Sequence, residues 1–364
     1  MIKKYLLGFL VILNTSIFAD TITLIDGKKI EDVRIRSFTI KELVYKSGRR
    51  ERSIPSYMVK DVKPSTYPRK YKMALQQEED DEIDAAIEFY RAFGERTSPK
   101  SPYAWLRQFA LWRAAMLIIE GGTRKDWLDG IAEIENLIKK IPDTKFLYDY
   151  YKLKFFHYLD IGDEKSRVNL QRLITNWINK IRKNSYDENY LYEAMLDEVM
   201  VQRDVLRKLT PDKALAKIKD IFSKIQNKRC PAYQRAQVEL GWAYISVGKW
   251  EEAQSYFLEV TKKPIVDDIT VARAWLGLGH TYYNKKGRKP EDCKNALLDY
   301  MRVVINYEHI GDKTNWGREI VAQALFFAEK AYKDWGGPQW QEGCMRLRRR
   351  RKGSKYRTTS WGRR

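Results

Sequence analysis

QVELGWAYISVGKWEEAQSYFLEV, residues 237–260, decides the fold. Leu240, Gly241, Tyr244, Gly248, Ala253 and Phe257 fall at positions 7, 8, 11, 15, 20 and 24 of a helix–turn–helix unit of about 34 residues. Each position has a mechanical reason. Gly241 and Ala253 are small where two helices cross closely. Leu240, Tyr244 and Phe257 fill the space between them, and Gly248 permits the tight turn. A hairpin of this kind cannot bury its apolar face alone, so the pattern implies stacked neighbours.

The neighbour follows at once. Trp275, Leu278, Gly279 and Tyr282 repeat positions 4, 7, 8 and 11, and Ala296 and Tyr300 repeat 20 and 24, with five extra residues in the turn NKKGRKPEDCKN. These two units, 234–264 and 272–307, resemble tetratricopeptide (TPR) repeats. The resemblance implies a mainly α fold, a TPR-like α-solenoid that binds partners and carries no chemistry of its own. Outside 234–307 the match weakens. YYKLKFFHYLDIGDEKSRVNLQRLI resembles a full unit with Gly162 in its turn, but Arg167 stands where a small Ala belongs. DWLDGIAEIENLIKKIPDTKF, closed by Pro142, reads as a second-helix segment. Further helices are expected at 187–207, at 211–226 with Pro211 in the first turn, and at 319–335.

Residues 20–64 have the alternation of short strands. TITLI ends at the turn dipeptide Asp26-Gly27, VRIRSFTI alternates with period two, and ELVYK, RSIP and MVKDV complete about five strands. This segment resembles SH3-like β-barrels, and it is too small to be stable without closing as a barrel or docking on helices. Pro64 and Pro68 mark a linker into a helical region expected over 65–340. There the run EEDDE, residues 78–82, reads as a solvated start to the helix IDAAIEFYRAF.

The first nineteen residues, with Lys3 and Lys4 before the apolar run Leu6–Leu13 and Ala19 at the end, form a secretory signal-peptide pattern. The competing readings are a retained anchor and a buried strand. Export to a periplasm or bacterial cell envelope follows from the first. At the other end, 341–364 is expected to be a disordered basic tail. Its last twenty residues hold ten Lys or Arg and no Asp or Glu, half of the chain's net charge of +20. Arg346, Arg348, Arg349, Arg350, Arg351, Lys352, Lys355 and Arg357, with Tyr356 and Trp361, are candidates for holding a polyanion. An exported chain would offer them to an anionic membrane or cell-wall surface rather than to nucleic acid.

Catalysis finds no convergent set. The three histidines are isolated, no nucleophile, phosphate-loop or metal-ligand spacing occurs, and no cofactor or metal is implied. Cys230, Cys293 and Cys344 lie far apart, leaving one disulfide with a spare thiol, or three free thiols, both open. The resemblance directs attention to the concave groove. A carboxylate clamp needs Lys and Asn at positions 5 and 9, but Val238 and Trp242, then Leu276 and His280, stand there. Arg235, Trp242, Arg273, His280, Tyr283 and Asn284 would line the groove instead, suiting an extended partner segment with acidic or aromatic side chains.

Overall fold

The computed structural model describes residues 20–337, 339–353, 355–357 and 359. The chain is mainly helical, with a small N-terminal antiparallel sheet of five strands. It divides into two compact units, one ending at Thr144 and one beginning at Lys145. The expected signal segment 1–19 and Trp361 lie outside the described residues.

In the first unit the strands are β1 (Asp20–Leu24), β2 (Lys29–Phe38), β3 (Glu42–Ser47), β4 (Arg50–Pro55) and β5 (Val59–Lys63), ordered β4-β3-β2-β1-β5. Gly27, at φ +83°, makes the β1–β2 turn that Asp26-Gly27 announces. Ile22, Val33, Ile35, Leu43, Tyr45 and Val62 point inward and meet Tyr71, Ala86, Trp105, Leu106 and Ala110 in one core. Those partners come from α1 (Arg69–Glu79), α2 (Ile83–Arg96) and α3 (Ala104–Glu120); α4 (Arg124–Lys140) packs on α3. The boundary expected at residue 64 therefore does not separate two cores: the sheet docks on the helices that follow it. Gln108 ties the layers, donating through Nε2 to the Phe38 carbonyl at 2.6 Å. The acidic run is not wholly solvated either. Glu78, in the last turn of α1, accepts from Arg113 Nη2 at 2.6 Å and from the Tyr90 hydroxyl at 2.8 Å.

The second unit is helical throughout its regular elements: α5 (Leu147–Ile161), α6 (Glu164–Asn184), α7 (Glu188–Met200), a π-helical turn (Val201–Val205), α8 (Pro211–Lys224), α9 (Pro231–Ser246), α10 (Trp250–Lys262), α11 (Asp268–Tyr283), α12 (Pro290–Asn306), α13 (Ile310–Lys313), α14 (Asn315–Trp335) and α15 (Trp340–Lys352). The key residues of 237–260 act as their spacing demands. A Cβ on Gly241 would stand 2.5 Å from the Phe257 ring, and one on Gly277 of the next hairpin 2.3 Å from the same ring. One phenyl group thus fills a space that two glycines leave, on α9 and on α11. Gly279 and Tyr300 repeat the arrangement at 2.6 Å. Gly248 turns the chain at φ +75°. Ala253, Phe257, Ala296 and Tyr300 are fully buried.

The segment expected to be disordered is folded as far as it is described. α15 packs on α14, and Leu347 and Tyr356 join the core of Val321, Leu325 and Ala328. Like charges fail to keep this stretch open because carboxylates meet them. Glu329 accepts from Arg348 Nε at 2.9 Å and pairs with Arg351 at 3.3 Å; Glu308 pairs with Arg350 and Lys355, and Glu342 with Arg346. All three cysteines are free and buried. Among the described residues no helix is long and apolar enough to cross a membrane.

Candidate partner-binding cleft

Two helices of the second unit carry ionisable pairs four residues apart in otherwise apolar stretches: Glu193 and Asp197 on α7, Arg235 and Glu239 on α9. That spacing puts both members on one helix face, and both faces turn inward. Arg235, only 6% exposed, donates to Glu193 Oε2 at 2.5 Å and also to Asp197. Tyr151 donates its hydroxyl to Asp197 at 2.8 Å, and Lys152 reaches the same carboxylate at 3.3 Å. Further along, Glu239 is 1% exposed and accepts from Arg273 and, at 3.2 Å, from Arg203. Arg203 in turn grips Asp204 at 2.6 and 2.7 Å. Arg273 lies 5.8 Å from the centroid of the Trp316 ring. The result is a continuous ladder of alternating charge through α5, α7, α9 and α11.

The ladder is electrostatically closed. Burial alone would raise the Glu239 carboxyl, but Arg273 and Arg203 outweigh it and hold it at about 2. Burial likewise opposes ionisation of Asp197, but Arg235 and Lys152 outweigh it and hold the carboxyl below the usual range. Desolvation and the neighbouring carboxylates push the Tyr148 and Tyr151 phenols well up. These groups keep their charge states at neutral pH, and their pairing ties together the helices that carry them.

Beside the ladder lies an open cleft of about 610 Å³ between the α5–α6 turn, the π-helical turn and the start of α14. Three local features shape it. Arg167 replaces the small residue the hairpin pattern calls for, and it lines the cleft as an exposed side chain. The backbone widens into a π-helical turn at Val201–Val205, and Arg207 follows at φ +53°, a left-handed conformation rare outside glycine. Irregular backbone of this kind tends to gather at functional sites. Trp316 forms the half-buried floor. Three carboxylates line it as well: Asp204 is taken by Arg203, and Glu319 also has a partner. Asp160 accepts the backbone N–H of Asn315 at 3.1 Å and of Trp316 at 3.3 Å. Arg167 and Arg207 have no carboxylate partner among the described residues.

Five of the six groove candidates fall into two groups, and Asn284 stands exposed beside the second. Arg235 and Arg273 are rungs of the buried ladder, not free groove cations; acidic residues opposite them, which the repeat pattern does not specify, draw them inward. His280 is also buried, its Nδ1 2.8 Å from the Tyr300 hydroxyl, and desolvation lowers its basicity to about 3. It is neutral and structural. Trp242, half-buried, meets His280 edge-on at 5.5 Å and Phe257 at 5.9 Å, and its Nε1 has no hydrogen-bond partner. Tyr283 donates to Asp334 at 2.8 Å under the Arg288 guanidinium, and exposed Asn284 donates to the His280 carbonyl at 2.9 Å. Trp242, His280 and Tyr283 therefore share a cluster apart from the two arginines. Glu193, Asp197, Arg203, Glu239 and Trp316 were not singled out from the sequence. The four-residue spacing of opposite or like charges inside apolar helices was the available signal for three of them. Among the described residues no group of three or more His, Cys, Asp or Glu side chains could hold a metal ion.

No family model matches the chain, and no curated protein matches it. Among solved structures it is similar to the crystal structure of BtubC (BKLC) from P. vanneervenii, at 14% identity over 79% of this chain and 94% of that one, with a TM-score of 0.38. A likeness this distant carries neither the fold nor the role of that protein to this chain.

Proposed function

We propose that this chain is a non-enzymatic interaction scaffold of a bacterial cell envelope: a TPR-like solenoid of helical hairpins, joined to an SH3-like sheet, that holds an acidic segment of a partner protein in the cleft beside α14. The observation that carries the reading is the contrast in charge. Every cation of the ladder is neutralised within the fold, whereas Arg167 and Arg207 stand free at the cleft around an aromatic floor. Guanidinium groups donate to carboxylates in a bidentate fork, and an indole supplies the desolvated anchor that interfaces use. The recurring glycine–ring packing of α9–α12 supports the repeat architecture. The envelope assignment rests on the N-terminal segment of the sequence.

A second reading assigns binding to the basic C-terminal residues. Arg349, Lys352 and Arg357 favour it, being exposed and without ion pairs among the described residues. The rest of that cluster is largely spent on Glu308, Glu329 and Glu342. Retention of a discrete protein from envelope extract tests both, using the full chain at low and high salt. Retention that is lost in Arg167→Ala, Arg207→Ala and kept in Arg349→Gln, Lys352→Gln, Arg357→Gln supports the cleft, with salt weakening it only in part because the indole contact is not screened. Retention kept in the first variant and lost in the second overturns it in favour of a polyanion binder.

A further inference from the structure

Far along the second unit, one carboxylate is left half satisfied. Asp299, on α12, is 3% exposed. Its Oδ1 accepts from Arg302 Nη1 at 2.5 Å, one turn on, while Oδ2 is buried with no hydrogen-bond partner. An unmet buried acceptor is costly, and the few that occur in native folds call for an explanation. Desolvation pushes this carboxyl up to about 7, against the pull of Arg302. Asp299 also lines a cavity of about 320 Å³ between α10, α11 and α12, with Leu258, Trp275, Tyr282 and Leu298 among its walls. The Arg302 guanidinium lies over the Trp275 ring, 4.4 Å from its centroid, yet the side chain remains 48% exposed.

A carboxylate, an indole face and an aliphatic wall are the three surfaces that hold a guanidinium: an ion pair, a cation–π contact and cover for the stem. All three are present, and the cation now on them is the chain's own. It fits poorly, because from three residues along the same helix Arg302 offers Asp299 a single N–H and leaves the second oxygen unused. An arginine entering from outside can present its two-pronged fork to both oxygens. The remaining cation at the rim, Lys262 of α10, is countered by Glu259 at 3.2 Å.

We propose that the cavity between α10, α11 and α12 is a binding site for an arginine side chain of a partner protein, with Arg302 as a displaceable ligand supplied by the chain itself. Arg302 leaves as the incoming guanidinium arrives: where Asp299 is ionised one ion pair is exchanged for another, and where it is protonated the incoming cation displaces the proton to solvent. The site is separate from the cleft beside α14 and does not depend on it.

The test uses methylguanidinium as the probe and the Trp275 indole N–H as the reporter, in the full chain by two-dimensional NMR, with Trp275→Phe to assign the signal. Arg302→Ala, which vacates the site, should show a saturable shift. The wild type should need about tenfold more probe if Arg302 fills the site nine-tenths of the time. Arg302→Gln serves as a second vacated form should the alanine variant fold poorly. Neutral methylurea, of nearly the same shape, should give no shift, and neither should methylguanidinium with Arg302→Ala, Asp299→Asn. No saturable shift in either vacated form overturns the site. An equal response to methylurea, or one that survives Asp299→Asn, overturns the cation assignment. Equal affinity in wild type and Arg302→Ala overturns the role given to Arg302.

Discussion

Replacing Glu239 by Gln keeps the shape of the central rung and removes its charge. Arg273, 7% exposed, then has no carboxylate partner, and Arg203 keeps only Asp204. Breaking one side of a buried pair costs about 3–5 kcal/mol. The acidity of Glu239 gives an independent figure. A carboxyl held at about 2 in the fold, against 4.5 when unfolded, corresponds to about 3 kcal/mol at neutral pH. Because the folded value is depressed, this contribution is complete above pH 4.5 and is lost as pH falls through about 2. At pH 3 the gap between wild type and Glu239→Gln should therefore be narrower by about 2 kcal/mol than at pH 7. Urea unfolding read through hydrogen-exchange protection of α9 and α11 reports on this unit alone. Other acid-sensitive groups are common to both chains and cancel in the difference. A gap below about 1 kcal/mol at pH 7, or one unchanged at pH 3, would show that Glu239 is not neutralised by the two arginines, and the reasoning for the ladder would fall.

Gly277→Ala should lower stability by about 1–3 kcal/mol, because its methyl group meets the rigid edge of the Phe257 ring, and Phe257→Leu in the same chain should recover part of the loss in thermal melts. Glu329→Gln should raise amide exchange of α15 by about tenfold or more, since it removes the negative charge shared by Arg348 and Arg351, whereas Glu342→Gln, an exposed pair one turn apart, should change it little. His280 should not titrate between pH 8 and 5 in ring-nitrogen NMR. Its folded value is depressed, so its contribution to stability is full above about 6.5 and declines as pH falls toward 3, and an imidazole transition centred near 6.5 would contradict its burial.

The parts of the fold set by local rules were legible. Gly27 and Gly248 are required by their turns, period-two alternation marked the strands, and Gly241 with Phe257 marked a close crossing. The parts set by partners distant in sequence were not. Nothing near Arg235 says that it will meet Glu193 and Asp197, about forty residues earlier, so a repeat-based expectation left it facing a groove. The tail failed for the same reason: its charge density reads as self-repelling until Glu308 and Glu329 are known to lie against it. The cleft was half legible. Arg167 in place of a small residue signalled that two helices would not close, but the π-helical turn across from it has no comparable mark in the sequence.

The two hydrogen bonds from the start of α14 to Asp160 have a mechanical consequence. A row of hairpins in which each touches only the next is effectively one-dimensional and can lose structure from either end. Here residues 155 apart in the chain are clipped together, so α5 and α14 are in direct contact. The helices between α5 and α14 cannot separate from both of these at once until that contact opens. Fastening it is a late step in folding, because the intervening loop must close first. Pulled on its ends, this unit should resist as a single element rather than pay out hairpin by hairpin.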